Sequence, residues 1–158
     1  MKRALVFCLA GFLIGELDPV GWAAWRIIEA RLPAIQRQSM AEPSPFEKMP
    51  SSRWISESKS AYVIEDQYAP VAPVHLLVIP KKRYTSLLDP PAEVLGEMLD
   101  LARRAAHDRG IAESGFRITI NTNPHGAQSV YHLHMHVTGG KQLSEPLLPL
   151  LWGRLTHR

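Results

Sequence analysis

Three histidines alternate with apolar residues near the C-terminal end of the chain, in the run Tyr131, His132, Leu133, His134, Met135, His136, Val137. A strand sends successive side chains to opposite faces. The spacing therefore predicts His132, His134 and His136 on one face, about 6–7 Å apart. Tyr131, Leu133, Met135 and Val137 take the other face and can enter a core. A row of imidazoles gives up apolar burial and supplies nitrogens that titrate near neutral pH. Such a face suits either metal ligation or chemistry at a phosphorus or carbonyl centre. A neutral imidazole attacks phosphorus through a bare ring nitrogen and divides one displacement into two easier steps. It needs a partner on its other nitrogen to set the tautomer, and donors to neutralise phosphoryl oxygens. Gln128 and Ser129 lie just upstream with an amide and a hydroxyl. Gly126 and Ala127 are small enough to let backbone N–H groups approach an anion. His75, inside the apolar run Val74 to Ile79, is either a core histidine with a backbone partner or a fourth member of the cluster.

The elements that must position these groups are legible in outline. Ala61 to Glu65 reads as a short strand, and Val74 to Ile79 as a central strand ended by Pro80. Lys81, Lys82 and Arg83 follow as a solvated turn. Asp89, Pro90 and Pro91 open a helix, with the acid as its cap. Val94, Leu95, Met98, Leu101, Ala102 and Ala105 form its apolar stripe, and Gly110 closes it. Phe116 to Asn121 alternates as a further strand, Asn123 to Ala127 turns, and the histidine strand runs to Gly139–Gly140. Short connections between paired strands favour antiparallel neighbours, so the class is α+β with one main helix on a sheet. His107 ends that helix, where it suits the helix dipole.

Composition narrows the function. The chain has 158 residues, 46% hydrophobic and 21% charged, which suits one globular domain with an appendage. A net charge of +3 without a clustered basic face argues against nucleic acid as partner. Cys8 is the one cysteine, so neither an intrachain disulfide nor a cysteine-based zinc site can form.

Lys2 and Arg3 precede the apolar run Ala4 to Gly15, followed by Glu16, Asp18 and Pro19. The run is too short to span a bilayer, which needs about 20 residues. It has the form of a signal peptide or anchor, with cleavage expected after Ala23; a buried hydrophobic helix is the plain alternative. Trp22 to Gln38 reads as a helix that Pro33 interrupts or ends. Residues 39–45 read as a linker. The division is therefore 1–42, an N-terminal hydrophobic segment with linker, and 43–158, the domain that carries the histidines.

The segment Gln128 to Val137 resembles the histidine triad (HIT) motif, and its flanks resemble the Hint-like branch. Asn121 stands seven residues before Gln128, Gly139–Gly140 follows the triad, and Ala72 to Lys82 is similar to the strand and turn preceding the helix in that branch. The resemblance spans residues 46–152. It implies a HIT-like fold with a sheet of about five strands. It implies a nucleotide hydrolase or transferase acting on nucleoside phosphoramidates, adenylyl conjugates or dinucleoside polyphosphates of AMP or GMP. It also implies a homodimer with no obligatory metal or other cofactor. Carried over by position, His134 would be the nucleophile and His136 would bind phosphate and assist the leaving group. His132 and His75 would orient the cluster, Gln128 and Ser129 would contact phosphate and leaving group, and Asn121 would bind near the phosphate. Asp66 is the candidate for the ribose hydroxyls, although Gln67 falls in the strict register. Ala127 stands where the family usually has glycine, and the Thr122–His125 loop departs from the family pattern, with His125 a further donor. Two other classes stay open: a non-catalytic nucleotide-binding module, and a protein that ligates metal through the histidine face. Location follows the N-terminal segment: cytoplasmic by resemblance, or exported or membrane-anchored through residues 4–15 if it is a signal. Trp152 either lines the nucleotide pocket or caps the core.

Overall fold

The computed structural model describes residues 19–67 and 70–143. The apolar run Ala4 to Gly15, Trp152 and His157 lie outside these residues. Helix α1 spans Pro19–Ala41, and the expected cleavage point after Ala23 falls within it. Pro33 lies inside the helix and does not end it, at the cost of one backbone hydrogen bond.

Five strands follow: β1 (Ser56–Glu57), β2 (Ala61–Glu65), β3 (Val74–Pro80), β4 (Phe116–Thr119) and β5 (Met135–Gly139), with helix α2 (Ala92–Asp108) between β3 and β4. They form one sheet in the order β1-β2-β3-β5-β4, and every pairing is antiparallel. The α+β expectation stands, with the edge strand β1 added to those read from the sequence.

Alternation divides the sheet into two faces. One carries Ala61, Val63, Leu76, Val78, Met135 and Val137. It packs against Met98, Leu101, Ala102 and Ala105 of α2 in the main core. The other carries Tyr62, Ile64, Leu77 and Ile79, which pack with Phe46 from the segment after α1. Toward β5 and β4 this second face turns polar, with His75 opposite Thr138 and Arg117 opposite Thr138 on its other side.

Helix α2 begins at Ala92, and Pro91 holds its N-cap position with no side-chain cap. Asp89, the expected cap, instead closes the preceding turn. Its Oδ2 accepts the backbone N–H groups of Thr85 at 2.8 Å and Ser86 at 2.9 Å, together with the Thr85 hydroxyl. Gly110 ends the helix as expected, at φ +67°, its N–H donated to the His107 carbonyl. Gly139 is tightly packed: a Cβ there would lie 2.8 Å from Ile111 Cδ1 and 3.3 Å from the Gly115 carbonyl, so Ile111 would have to shift.

The residues read as a linker are bound into the domain. Residues 39–41 belong to α1. The Tyr131 N–H donates to Ser39 Oγ at 2.9 Å. Arg83 was expected in a solvated turn, yet it reaches across this junction. It donates to the carbonyls of Ser39 (2.7 Å), Glu42 (3.0 Å) and Tyr131 (3.1 Å), and pairs with Glu47 at 3.2 Å. The end of α1 is thereby clamped beside the histidine run, and α1 also lies against the 3₁₀ turn Pro124–Gly126.

Candidate active site

The three histidines do not lie on one regular strand. β5 starts only at Met135, paired with Val78 of β3. Pairing stops there because Pro80, next on that side of β3, has no N–H to donate. Its carbonyl accepts from His132 Nε2 at 3.0 Å, and the Leu133 N–H turns to the Tyr84 carbonyl at 2.7 Å. His132 and His134 therefore sit on an extended lead-in, and only His136 lies within the ladder. The rings draw closer than strand rise alone would set: the His134 and His136 centroids are 4.9 Å apart.

Each imidazole has a defined partner. A carbonyl can only accept, so His132 carries its proton on Nε2. Its Nδ1 then accepts from the Ser44 hydroxyl at 3.0 Å. Ser44 comes from the supposed linker, and its Oγ in turn accepts the Phe46 N–H at 3.2 Å. Phe46 places its ring edge-on to His132 and His134 at 5.6 and 5.4 Å. His134 Nδ1 donates to the His132 carbonyl at 2.8 Å, so its Nε2 is bare. His136 Nδ1 meets His75 Nε2 at 2.9 Å, and Asp66 Oδ2 stands 3.4 Å from the opposite nitrogen of His75. His75 thus joins the cluster and is not an isolated core residue.

Burial keeps the triad neutral. Desolvation lowers His132 and His134 from the ordinary value of 6.5. For His134 the hydrogen bond to the His132 carbonyl and the Asp66 charge pull the other way. His136 falls to about 4, first through desolvation, then through the neighbouring His134 and His75, against the attraction of Asp66.

A cleft of about 550 Å³ opens over this end of the sheet, lined by Asp66, His75, Arg117, Thr119, Asn121 and His136 among others. A larger cavity of about 820 Å³ beside Arg109 and Ser114 shares Arg117 and Lys141 with it and contains no histidine. Asn121 and Asp66 both line this cleft. Gln67 is exposed and accepts from Arg53 at 2.8 Å. Ser129 is exposed on the loop before the triad, as is His125.

Gln128 departs from expectation. Its side chain is buried and fully engaged within the protein. Oε1 accepts the Asn123 N–H at 2.8 Å, and Nε2 donates to the carbonyls of Thr85 (2.6 Å) and Val130 (3.1 Å). It shapes the loop and does not face a phosphate, because an amide has no donors left after these bonds. Ala127 adopts φ +58°, ψ +31°, a left-handed conformation that glycine takes without penalty and alanine holds at about 1–2 kcal/mol. That explains why glycine suits this position. Ser44, Phe46 and Arg83 are the site-forming residues that spacing did not disclose, since each acts across a long sequence separation.

Among the described residues, Asp66, His75 and His136 form the group whose ligating atoms, all within 4.8 Å of one another, could hold a metal ion. Asp66 and His136 stand beside opposite nitrogens of the His75 ring, and the hydrogen bond among the three is the one between His75 and His136.

Fold and cluster together define a class: a five-stranded antiparallel sheet that holds a buried, neutral histidine row at one end of its open face. The HIT domain model matches residues 48–143, and the chain belongs to the HIT domain family. It is 45% identical over 86 residues to the purine nucleoside phosphoramidase of Escherichia coli (strain K12), covering 52% of this chain and 69% of that one. It is 38% identical over 130 residues to the adenylylsulfatase HINT1 of Arabidopsis thaliana, covering 75% and 83%. Among solved structures, the HIT family hydrolase from Legionella pneumophila Philadelphia 1 superposes with a TM-score of 0.56 at 32% identity, covering 70% of this chain and 95% of that one.

Proposed function

We propose that the protein is a nucleotide hydrolase that cleaves nucleoside 5′-phosphoramidates, adenylyl conjugates or dinucleoside polyphosphates through a nucleotidyl intermediate on His134. The supporting observation is the tautomer of His134. Its Nδ1 proton goes to the His132 carbonyl at 2.8 Å, so the bare Nε2 is the nucleophile. Burial favours the neutral ring, and only the neutral ring attacks phosphorus.

In the first step His134 Nε2 forms a bond to the α-phosphorus as the bond to the leaving group breaks. The leaving group takes its proton through Ser129, or through His136 once that ring is protonated. Asn121 and the loop backbone hold phosphoryl oxygens, and Asp66 lines the same cleft. In the second step water displaces His134 and releases the nucleoside monophosphate. His132 acts at one remove, through the carbonyl that sets the nucleophile's tautomer. A second copy of the chain completes the working form as a homodimer, and among the described residues β4 lies at the edge of the sheet. Residues 4–15 would add a membrane contact; no helix among the described residues is long and apolar enough to cross a membrane.

The test is a single-turnover reaction with adenosine 5′-phosphoramidate, quenched and read by intact mass. A transient adduct of one AMP, absent in His134→Ala, is the expected result. AMP binding without an adduct or product would replace this reading with a non-catalytic binding module.

A further inference from the structure

Asp66 is displaced by one residue from the register in which the resemblance places a ribose-binding acid, and Gln67 occupies that register. The displaced carboxylate is not idle. Its side chain is 8% exposed, and Oδ2 stands 3.4 Å from His75 Nδ1; the His75 side chain is itself 4% exposed. On the other side of the same ring, His75 Nε2 lies 2.9 Å from His136 Nδ1. Both nitrogens of one buried imidazole are thus engaged, one by an acid and one by a second imidazole that lines the cleft.

With both rings neutral, the chain of contacts has two self-consistent arrangements. With the His75 proton on Nδ1, Nε2 must accept from His136 Nδ1, and His136 is left with a bare Nε2. With the proton on Nε2, His136 Nδ1 accepts and its Nε2 carries a proton. The Val71 N–H, 3.3 Å from His75 Nδ1, asks for the second arrangement. The Asp66 carboxylate asks for the first. The carboxylate stands beside Nδ1 without a hydrogen bond to it, but its charge at 3.4 Å in a buried site favours a proton on the near nitrogen over the long, neutral Val71 contact.

We propose that Asp66 is a positioning residue which, through His75, holds His136 with a bare Nε2 as the base for the second step. This rests on the hydrolase reading above. A water O–H bond breaks, and its proton passes to His136 Nε2. The water oxygen forms its bond to phosphorus while the phosphorus–nitrogen bond to His134 breaks and its electron pair returns to His134 Nε2. His136 then carries a positive charge, shared through His75 and balanced by the Asp66 carboxylate. With Ser129 as the leaving group's proton source, the first step does not call on His136, so the two steps differ in their need for Asp66.

The experiment compares wild type with Asp66→Asn, which keeps shape and acceptor oxygen and removes charge, on adenosine 5′-phosphoramidate and its 2′,3′-dideoxy analogue. The expected result is a fall in kcat of about a hundredfold, the lower end of what a placed base contributes. The adduct should accumulate on His134 while its formation rate holds, and both substrates should suffer equally. A loss confined to KM that vanishes on the dideoxy substrate would assign Asp66 to the ribose and overturn the proposal. Zinc retained at one equivalent by wild type and lost in Asp66→Asn would overturn it in favour of an ion.

A second readout is independent of turnover: ¹⁵N correlation spectra of the free wild type report which ring nitrogens carry protons. His75 protonated at Nδ1 and His136 bare at Nε2 is the expected pattern. The opposite pattern sinks the positioning role whether or not the enzyme turns over. A wild type that forms no adduct, with the expected tautomers, instead defeats the hydrolase reading and leaves the hydrogen-bonded chain standing.

Discussion

The two faces of the sheet use the same strands for opposite ends. On the α2 face, Val63, Leu76, Val78, Met135 and Val137 meet Leu101 and Ala102, and the buried members of that cluster are apolar. On the other face, the same β3 and β5 present His75, His136 and Thr138, with the His75 and His136 rings joined by a hydrogen bond of 2.9 Å. The first face depends on area removed from water, which is tolerant of detail and worth about 25 cal/mol per Å². The second depends on direction: which nitrogen carries which proton, and which carbonyl receives it. Burial serves both, but on the histidine face it buys neutrality in place of cohesion. One period-two pattern can therefore carry stability and chemistry on alternate residues, with the rigid side holding the reactive side in place.

The largest way to separate the faces is His134→Ala. Turnover should fall by about 10⁴-fold or more, as for loss of a covalent nucleophile, while AMP affinity measured by calorimetry stays within a few-fold. Full activity in this variant would remove the distinction at its root. His136→Asn should be milder, about 10²- to 10⁴-fold in kcat, since it removes a proton acceptor and leaves the nucleophile.

Leu101→Ala tests the opposite face. Leu101 is fully buried under the sheet, so the substitution should cost about 2–5 kcal/mol in denaturant unfolding, with kcat per folded molecule nearly unchanged. A large loss of kcat at full folding would mean that the two faces are coupled.

As pH falls from neutral, acid should act first on the histidine face. His132, His134 and His136 are all lowered from 6.5 in the folded chain, His136 to about 4. The unfolded chain then takes up protons below about pH 6.5 that the folded chain refuses. Stability should hold from there through the neutral range and decline as pH falls toward 4. The acid limb of kcat/KM should lie below 6.5 for the same reason. A limb above 6.5 would contradict neutral, desolvated rings.

Ser44→Ala is the smallest and sharpest change. It removes the donor to His132 Nδ1 and should cost about 1 kcal/mol of stability. A kcat loss of a few-fold would follow, carried through the His132 carbonyl to His134.

Much of this was readable in the chain. The helix stripe from Val94 to Ala105, the runs Ala61–Glu65 and Val74–Ile79, and the alternation at Leu133, Met135 and Val137 are local patterns. Each appears in the structure where periodicity places it. The regular strand through His132 and His134 does not, because a missing N–H on Pro80, fifty residues away, ends the ladder. Asp89 failed as a helix cap because the nearer N–H groups of Thr85 and Ser86 claimed its carboxylate. Residues 39–45 looked like a linker because proline and serine carry no periodic signal. Their worth lies in contacts to Tyr131 and His132, about ninety residues distant.

The order of amino acids was enough to name the reactive groups and the family they belong to, because side-chain type and near-neighbour spacing are local properties. It was also enough for the α+β class, since strand and helix periods are written in consecutive residues. Which nitrogen of each histidine is bare, whether Gln128 faces ligand or loop, and whether Asp66 or Gln67 enters the cleft belong to the tertiary structure. A tautomer is set by the partner on the far side of the ring, and those partners come from segments that only folding brings together.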